Sequence, residues 1–169
     1  MTTTINASTS AGLIITPDTS GNIQLQYNGV AAPAFSAYAN STGQTMTSGI
    51  RTKIQFNTEE FDTANCFDST TNYRFTPNLA GYYTFSFSVG INSSATNVGL
   101  ALYKNGSEAR WPHYINASAG NIGGGNSGII YANGSTDYFE VYAYFATGQG
   151  VYASSTATWF NGYMVRSAA

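Results

Sequence analysis

Charge is scarce in this chain. Six Lys and Arg and eight Asp and Glu occur in 169 residues, 8% in all, where soluble domains carry about 25%. No window concentrates the basic residues. The cations that displace counterions from nucleic acid are therefore missing, and a nucleic-acid binder is not expected. The one cysteine, Cys66, leaves no partner for an intrachain disulfide. Glu59, Glu60, Asp62 and Asp68 lie near it in sequence and would disfavour a thiolate, so a packed, inert thiol is predicted. No Lys or Arg precedes Arg51, so the start lacks the basic region of a secretory signal. No apolar run reaches the length of about 20 residues that a membrane-spanning helix requires. If the protein reaches the outside of a cell, signal-peptide export is not the expected route, and release by lysis as part of a virus particle is one route consistent with that.

Aromatic residues, by contrast, make up 15% of the chain, and 18 glycines punctuate it. With so few charges, the surface must be built from Asn, Ser, Thr, Gln and Gly, a style that suits an extracellular or virion-exterior protein. Between the glycines lie short runs of period two. In YTFSFSVGI, Tyr83, Phe85, Phe87, Val89 and Ile91 alternate with small or polar residues, which predicts a half-buried strand. VGLALYK sets Val98, Leu100 and Leu102 on one face and stops at Asn105-Gly106, a strong hairpin signal. Further strands are predicted at 50–57, 127–132, 137–145 and 156–165. No window of 11 or more residues carries a helical stripe, so the fold class is all-β, a sandwich or barrel.

Residues 137–145, DYFEVYAYF, pose a problem of their own. Phe139, Val141, Ala143 and Phe145 share one face of the strand, while Tyr138, Glu140, Tyr142 and Tyr144 share the other. A strand with one face in water should be polar there. Three tyrosines call for a cover.

Residues 1–30 have another texture, with two β-like runs, Leu13 to Thr16 and Asn22 to Tyr27, around a Pro17-Asp18-Thr19-Ser20-Gly21 turn cluster. Their apolar residues are too few for a core, so this segment is expected to dock on another chain. The domain organisation is then a docking segment at 1–30 followed by a β domain at 31–169.

Candidate chemistry is thin. His113 is the one histidine, no Gly-x-Ser-x-Gly elbow accompanies it, and no second metal ligand stands at matched spacing. Trp111, His113 and Tyr114 form a possible surface contact for a glycan or host protein. Glu59, Glu60, Asp62 and Asp68 lack the alternation and glycine of a calcium loop and read as a solvated loop. The run 116–128, with Gly123-Gly124-Gly125, reads as a mobile surface loop. No catalytic, cofactor or metal residue is assigned, and the protein is not expected to be an enzyme.

Several stretches together resemble the globular head domain of complement C1q, within the tumour-necrosis-factor-like jelly rolls. They are Ala34-Phe35-Ser36-Ala37, Asn65-Cys66-Phe67-Asp68, Gly81-Tyr82-Tyr83-Thr84-Phe85, Leu102-Tyr103-Lys104-Asn105-Gly106, Asp137-Tyr138-Phe139-Glu140-Val141 and Phe160-Asn161-Gly162-Tyr163-Met164. They run in the family's order across about residues 31–166. The chain departs from the family at Ala80-Gly81, where Pro-Gly is usual, and in lacking a collagen-like stalk, so complement-type function does not carry over. The resemblance implies a jelly-roll β-sandwich that assembles as a homotrimer through one sheet face. On that basis Tyr138, Glu140, Tyr142 and Tyr144 are expected at the trimer interface, with Glu140 needing solvent or a cationic partner.

The opening text, INASTSAG and ITPDTSGNIQLQ, resembles the start of bacteriophage fibre and virion-surface proteins. The expectation is a non-enzymatic phage capsid decoration (cement) protein on the particle exterior, held to the major capsid protein or another virion protein through residues 1–30. The chain starts at Met1 and stops soon after the last expected strand, which suits a small complete gene product. The alternative is a receptor-binding tail or head fibre tip that meets a host surface receptor.

Overall fold

The computed structural model describes residues 26–27, 30–40, 44–92, 97–115 and 125–168, with the backbone alone at 26–27, 30–31, 111–115, 125–127 and 149. Most of the docking segment at 1–30 therefore lies outside the described residues. The described residues hold fifteen strands and no helix. In chain order they begin with β1 (Gln26–Tyr27), β2 (Val30–Ala31), β3 (Ala34–Tyr38), β4 (Thr45–Met46) and β5 (Thr52–Lys53). Then come β6 (Thr58–Asp62), β7 (Phe67–Asp68), β8 (Arg74–Phe75), β9 (Ala80–Ser88) and β10 (Val98–Lys104). The last five are β11 (Ser107–Ile115), β12 (Gly125–Asn133), β13 (Phe139–Phe145), β14 (Gln149–Gly150) and β15 (Trp159–Ser167).

Two antiparallel sheets form the sandwich. One has the order β12-β9-β15-β3-β6, and the other β11-β10-β13-β8-β7 with β5 also paired to β13. From β9 onward the long strands switch sheets at every step but the β10–β11 hairpin, which is the jelly-roll connection pattern. The alternation read from the sequence decides which side chains meet between the sheets. Phe139, Val141, Ala143 and Phe145 of β13 and Tyr83, Phe85 and Phe87 of β9 are all 0–1% exposed. Phe35 stacks on Phe75 at 4.4 Å and on Phe67 at 4.9 Å, and Phe85 meets Phe139 at 4.6 Å. Burying each such side chain contributes about 1.5–3 kcal/mol. Gly162 faces Phe85 so closely that a Cβ there would sit 2.5 Å from a ring carbon, so the glycine makes room for the ring.

The β10–β11 turn is made by Asn105 and Gly106 at φ 54° and 75°, the paired left-handed conformation this dipeptide favours. Asn105 also fastens the turn, its Nδ2 donating to Asp137 at 2.7 Å. Lys104 adds an ion pair to the same carboxylate at 2.8 Å.

Three expectations are corrected. Residues 50–57 form a strand only at Thr52–Lys53, although Ile54 and Phe56 are fully buried. Glu59, Glu60 and Asp62 lie on strand β6, not in a loop. β6 closes one edge of the five-stranded sheet, and carboxylates along an edge discourage pairing with a further strand. Of the run 116–128, residues 125–128 belong to β12 and are paired with β9.

Candidate functional site

The tyrosine face of β13 has neighbours within its own sheet, and its rings stay half-buried. β10 lies beside β13 with Gly99 opposite Tyr144 and Ala101 opposite Tyr142. Those small residues leave space for the large rings, and Ala101 is 4% exposed although it points away from the core. Tyr103 stacks on Tyr142 at 4.0 Å, and the Arg74 guanidinium lies 4.2 Å from the Tyr138 ring centre. Arg51 donates to the Tyr103 hydroxyl at 3.1 Å and pairs with Glu108. Glu140 is 4% exposed and accepts from the Lys53 ammonium at 3.1 Å. A buried carboxylate is tolerated when it is paired and hydrogen-bonded. Burial, followed by the Glu140 charge, pushes the Tyr142 hydroxyl above its ordinary pKa. The four residues singled out from sequence therefore sit together and half-buried or buried, with neighbours of their own.

Of the eight large apolar side chains most exposed among the described residues, all but Ile50 and Tyr152 lie on strands of the opposite sheet. Phe61, Tyr82, Ile129, Tyr131, Tyr163 and Val165 are 44% to 58% exposed. Register joins all but Val165, which falls at the irregularity between Met164 and Arg166: Ile129 and Tyr163 both pair with Thr84 of β9, Tyr131 pairs with Tyr82, and Phe61 pairs with Ser36 of β3. The Tyr82 and Tyr131 rings touch at 5.7 Å. On the far side, Phe61 and Tyr163 wall a groove of about 280 Å³ whose lining includes Ala34, Ser36 and Asn161. Small polar residues occupy the middle of this face, with Ser86, Asn161 and Ser36 in one row and Phe61 at its end. Sequence reading missed this surface, because each strand contributes only one or two of its residues.

Trp111, His113 and Tyr114 lie on β11, the outer strand of the six-stranded sheet, with His113 opposite Leu100 and Tyr114 opposite Gly99. Their side chains lie outside the described residues. The ladder slips between Leu100 and Leu102, beside Pro112, which has no N–H to give. The four carboxylates near Cys66 do not converge. Glu59 accepts from Ser69, Glu60 from Ser36, Asp62 from the Phe67 and Ala64 amides, and Asp68 from its own turn. Among the described residues no group of three or more His, Cys, Asp or Glu could hold a metal ion. Cys66 is 6% exposed, and burial raises its thiol to about 11.

Comparison with known proteins agrees with this architecture. The C1q domain profile matches residues 34–165. The globular domain of zebrafish complement 1qA is 21% identical, with 81% of this chain and 99% of that chain covered and a TM-score of 0.61. Eiger TNF from S. frugiperda is 8% identical, with 82% and 95% covered and a TM-score of 0.61. The PRD1 vertex protein P5 is 16% identical, with 79% and 97% covered and a TM-score of 0.51. At these identities the likeness is one of fold. No curated protein matches the sequence.

Proposed function

Because this chain belongs to the C1q domain family, we propose that it is a non-enzymatic structural protein, a homotrimer that decorates the outside of a phage capsid. C1q- and TNF-like domains are typically binding or structural modules. The observation that carries the reading is the apolar face of the five-stranded sheet. Six half-exposed side chains at about 100 Å² each make a patch of about 600 Å², the upper end of what a monomer leaves in water. Two further copies around a three-fold axis would cover it, and closed rotational symmetry leaves no contact from which a filament could grow. Three copies is what the jelly-roll resemblance implies. The interface is placed on this face because the tyrosines of β13 already have partners in their own chain.

The virion assignment draws on a surface poor in charge, on the phage-like opening sequence and on the likeness to a vertex protein. Residues 1–30 are assigned as the anchor to the major capsid protein or a neighbouring virion protein. Electron micrographs of the particle test this. Hundreds of copies at local three-fold positions are expected, and loss of residues 1–30 should release the trimer intact. A few trimers at the tail would favour the receptor-binding fibre tip instead, and a particle without the protein would overturn both.

A further inference from the structure

A second surface feature lies away from the apolar face. The β7–β8 hairpin, the residues before it and the edge of β6 surround an open cleft of about 510 Å³, lined by Glu59, Asn65, Asp68, Ser69, Asn72 and Arg74 among others. Small-molecule sites commonly have volumes of about 300–1,000 Å³. Asp68 and Arg74 are opposite each other in the ladder, and two such residues would ordinarily pair. Here they do not. The Asp68 carboxylate accepts from the amides of Thr70, Thr71 and Asn72, from the Thr70 hydroxyl and from Asn72 Nδ2. Those donors hold its pKa well below the usual carboxylate range.

Arg74 is thereby left without a carboxylate partner among the described residues. It is half-buried, and one face of its guanidinium lies over the Tyr138 ring, so the group is oriented before any ligand arrives. Tyr73, immediately ahead of it, has φ 49°, a left-handed conformation that bulky residues avoid. Glu59 Oε1 accepts from Ser69 at 2.6 Å, and its second oxygen has no partner among the described residues.

We propose that this cleft binds an acidic sugar, a polyol ring bearing a single carboxylate. The Arg74 fork matches a carboxylate in two parallel hydrogen bonds. Glu59, Asn65 and Asn72 supply the acceptors and amide donors that ring hydroxyls require. Glu59 and Asp68 give the lining one more negative than positive charge, which disfavours a dianion such as phosphate. A lone carboxylate carried by a neutral, hydroxyl-rich body suits the set. The assignment rests on the cleft alone and does not depend on how copies of the chain assemble.

The test is ligand-observed saturation-transfer NMR on the full chain with glucuronate, glucose, acetate and inorganic phosphate. Glucuronate should bind with a dissociation constant on the order of 1 mM, with glucose and acetate at least about tenfold weaker and phosphate failing to compete. Arg74→Gln should abolish the glucuronate signal while the solution mass and melting temperature stay unchanged. Glu59→Ala, at an exposed position, should reduce the preference for glucuronate over acetate. Equal binding of acetate, effective competition by phosphate, or full binding by a folded Arg74→Gln protein would each overturn the proposal. If Arg74→Gln does not fold, an unchanged preference in Glu59→Ala overturns it.

Discussion

Tyr163→Asp separates the two faces of the sandwich. Tyr163 stands on β15 opposite Ala34 and Thr84, 56% exposed, so its own chain makes little use of the ring's outer half. Covering about 100 Å² of it in an interface is worth about 2.5 kcal/mol at 25 cal/mol per Å². Three copies lose about 7.5 kcal/mol, about five orders of magnitude in the trimerisation constant, before the cost of three carboxylates brought together without partners. The monomer should fold normally, because the position is solvated there. Size-exclusion chromatography with light scattering at micromolar concentration should give a protein of 17.9 kDa with an unchanged circular dichroism spectrum. The companion variant Tyr142→Asp removes the stack on Tyr103 and should lower the melting temperature while the trimer persists. If Tyr163→Asp stays trimeric and Tyr142→Asp dissociates, the interface lies on the β13 tyrosines and the surface reasoning fails.

Two further outcomes concern the fold. Burial alone would raise the Asp137 pKa, but hydrogen bonds from Lys104, Asn105 and the Asn133 amide, with the Lys104 charge, outweigh it and hold the carboxyl below the usual range. A depressed folded pKa stabilises above the unfolded value of about 3.9, and that stabilisation is lost as pH falls toward the folded value. Urea midpoints measured from pH 6 down to pH 2 should fall less steeply in Asp137→Asn, and an identical slope would show that the network does not contribute. Gly162→Ala places a Cβ 2.5 Å from Phe85 and 2.9 Å from the Thr84 carbonyl oxygen. A loss of about 1–3 kcal/mol in chemical denaturation is expected, and a neutral substitution would mean that the ring yields freely.

The core strands were legible because one window contains each of them. β9, β10 and β13 show their alternation to a reader of nine residues, and Asn105-Gly106 announces its turn. β6 was not legible as a strand, since Thr58–Asp62 reads TEEFD and carboxylates signal solvent; they mark an edge and not a loop. β11 hid behind Pro112, and the start of β12 behind a glycine run. The apolar face was invisible for a different reason. Its six residues come from β6, β9, β12 and β15, and only the register of those strands brings them together. Conversely, the tyrosines of DYFEVYAYF drew attention within one window, while Gly99, Ala101, Tyr103 and Lys53, which accommodate them, lie 39 to 89 positions from the tyrosines they meet.

The most direct measurement is the solution mass of the unaltered chain by sedimentation equilibrium, extended to dilute concentration. A face that three copies close together should give three times 17.9 kDa with no monomer detectable at micromolar protein. A stable, soluble species of 17.9 kDa across the same range would contradict it.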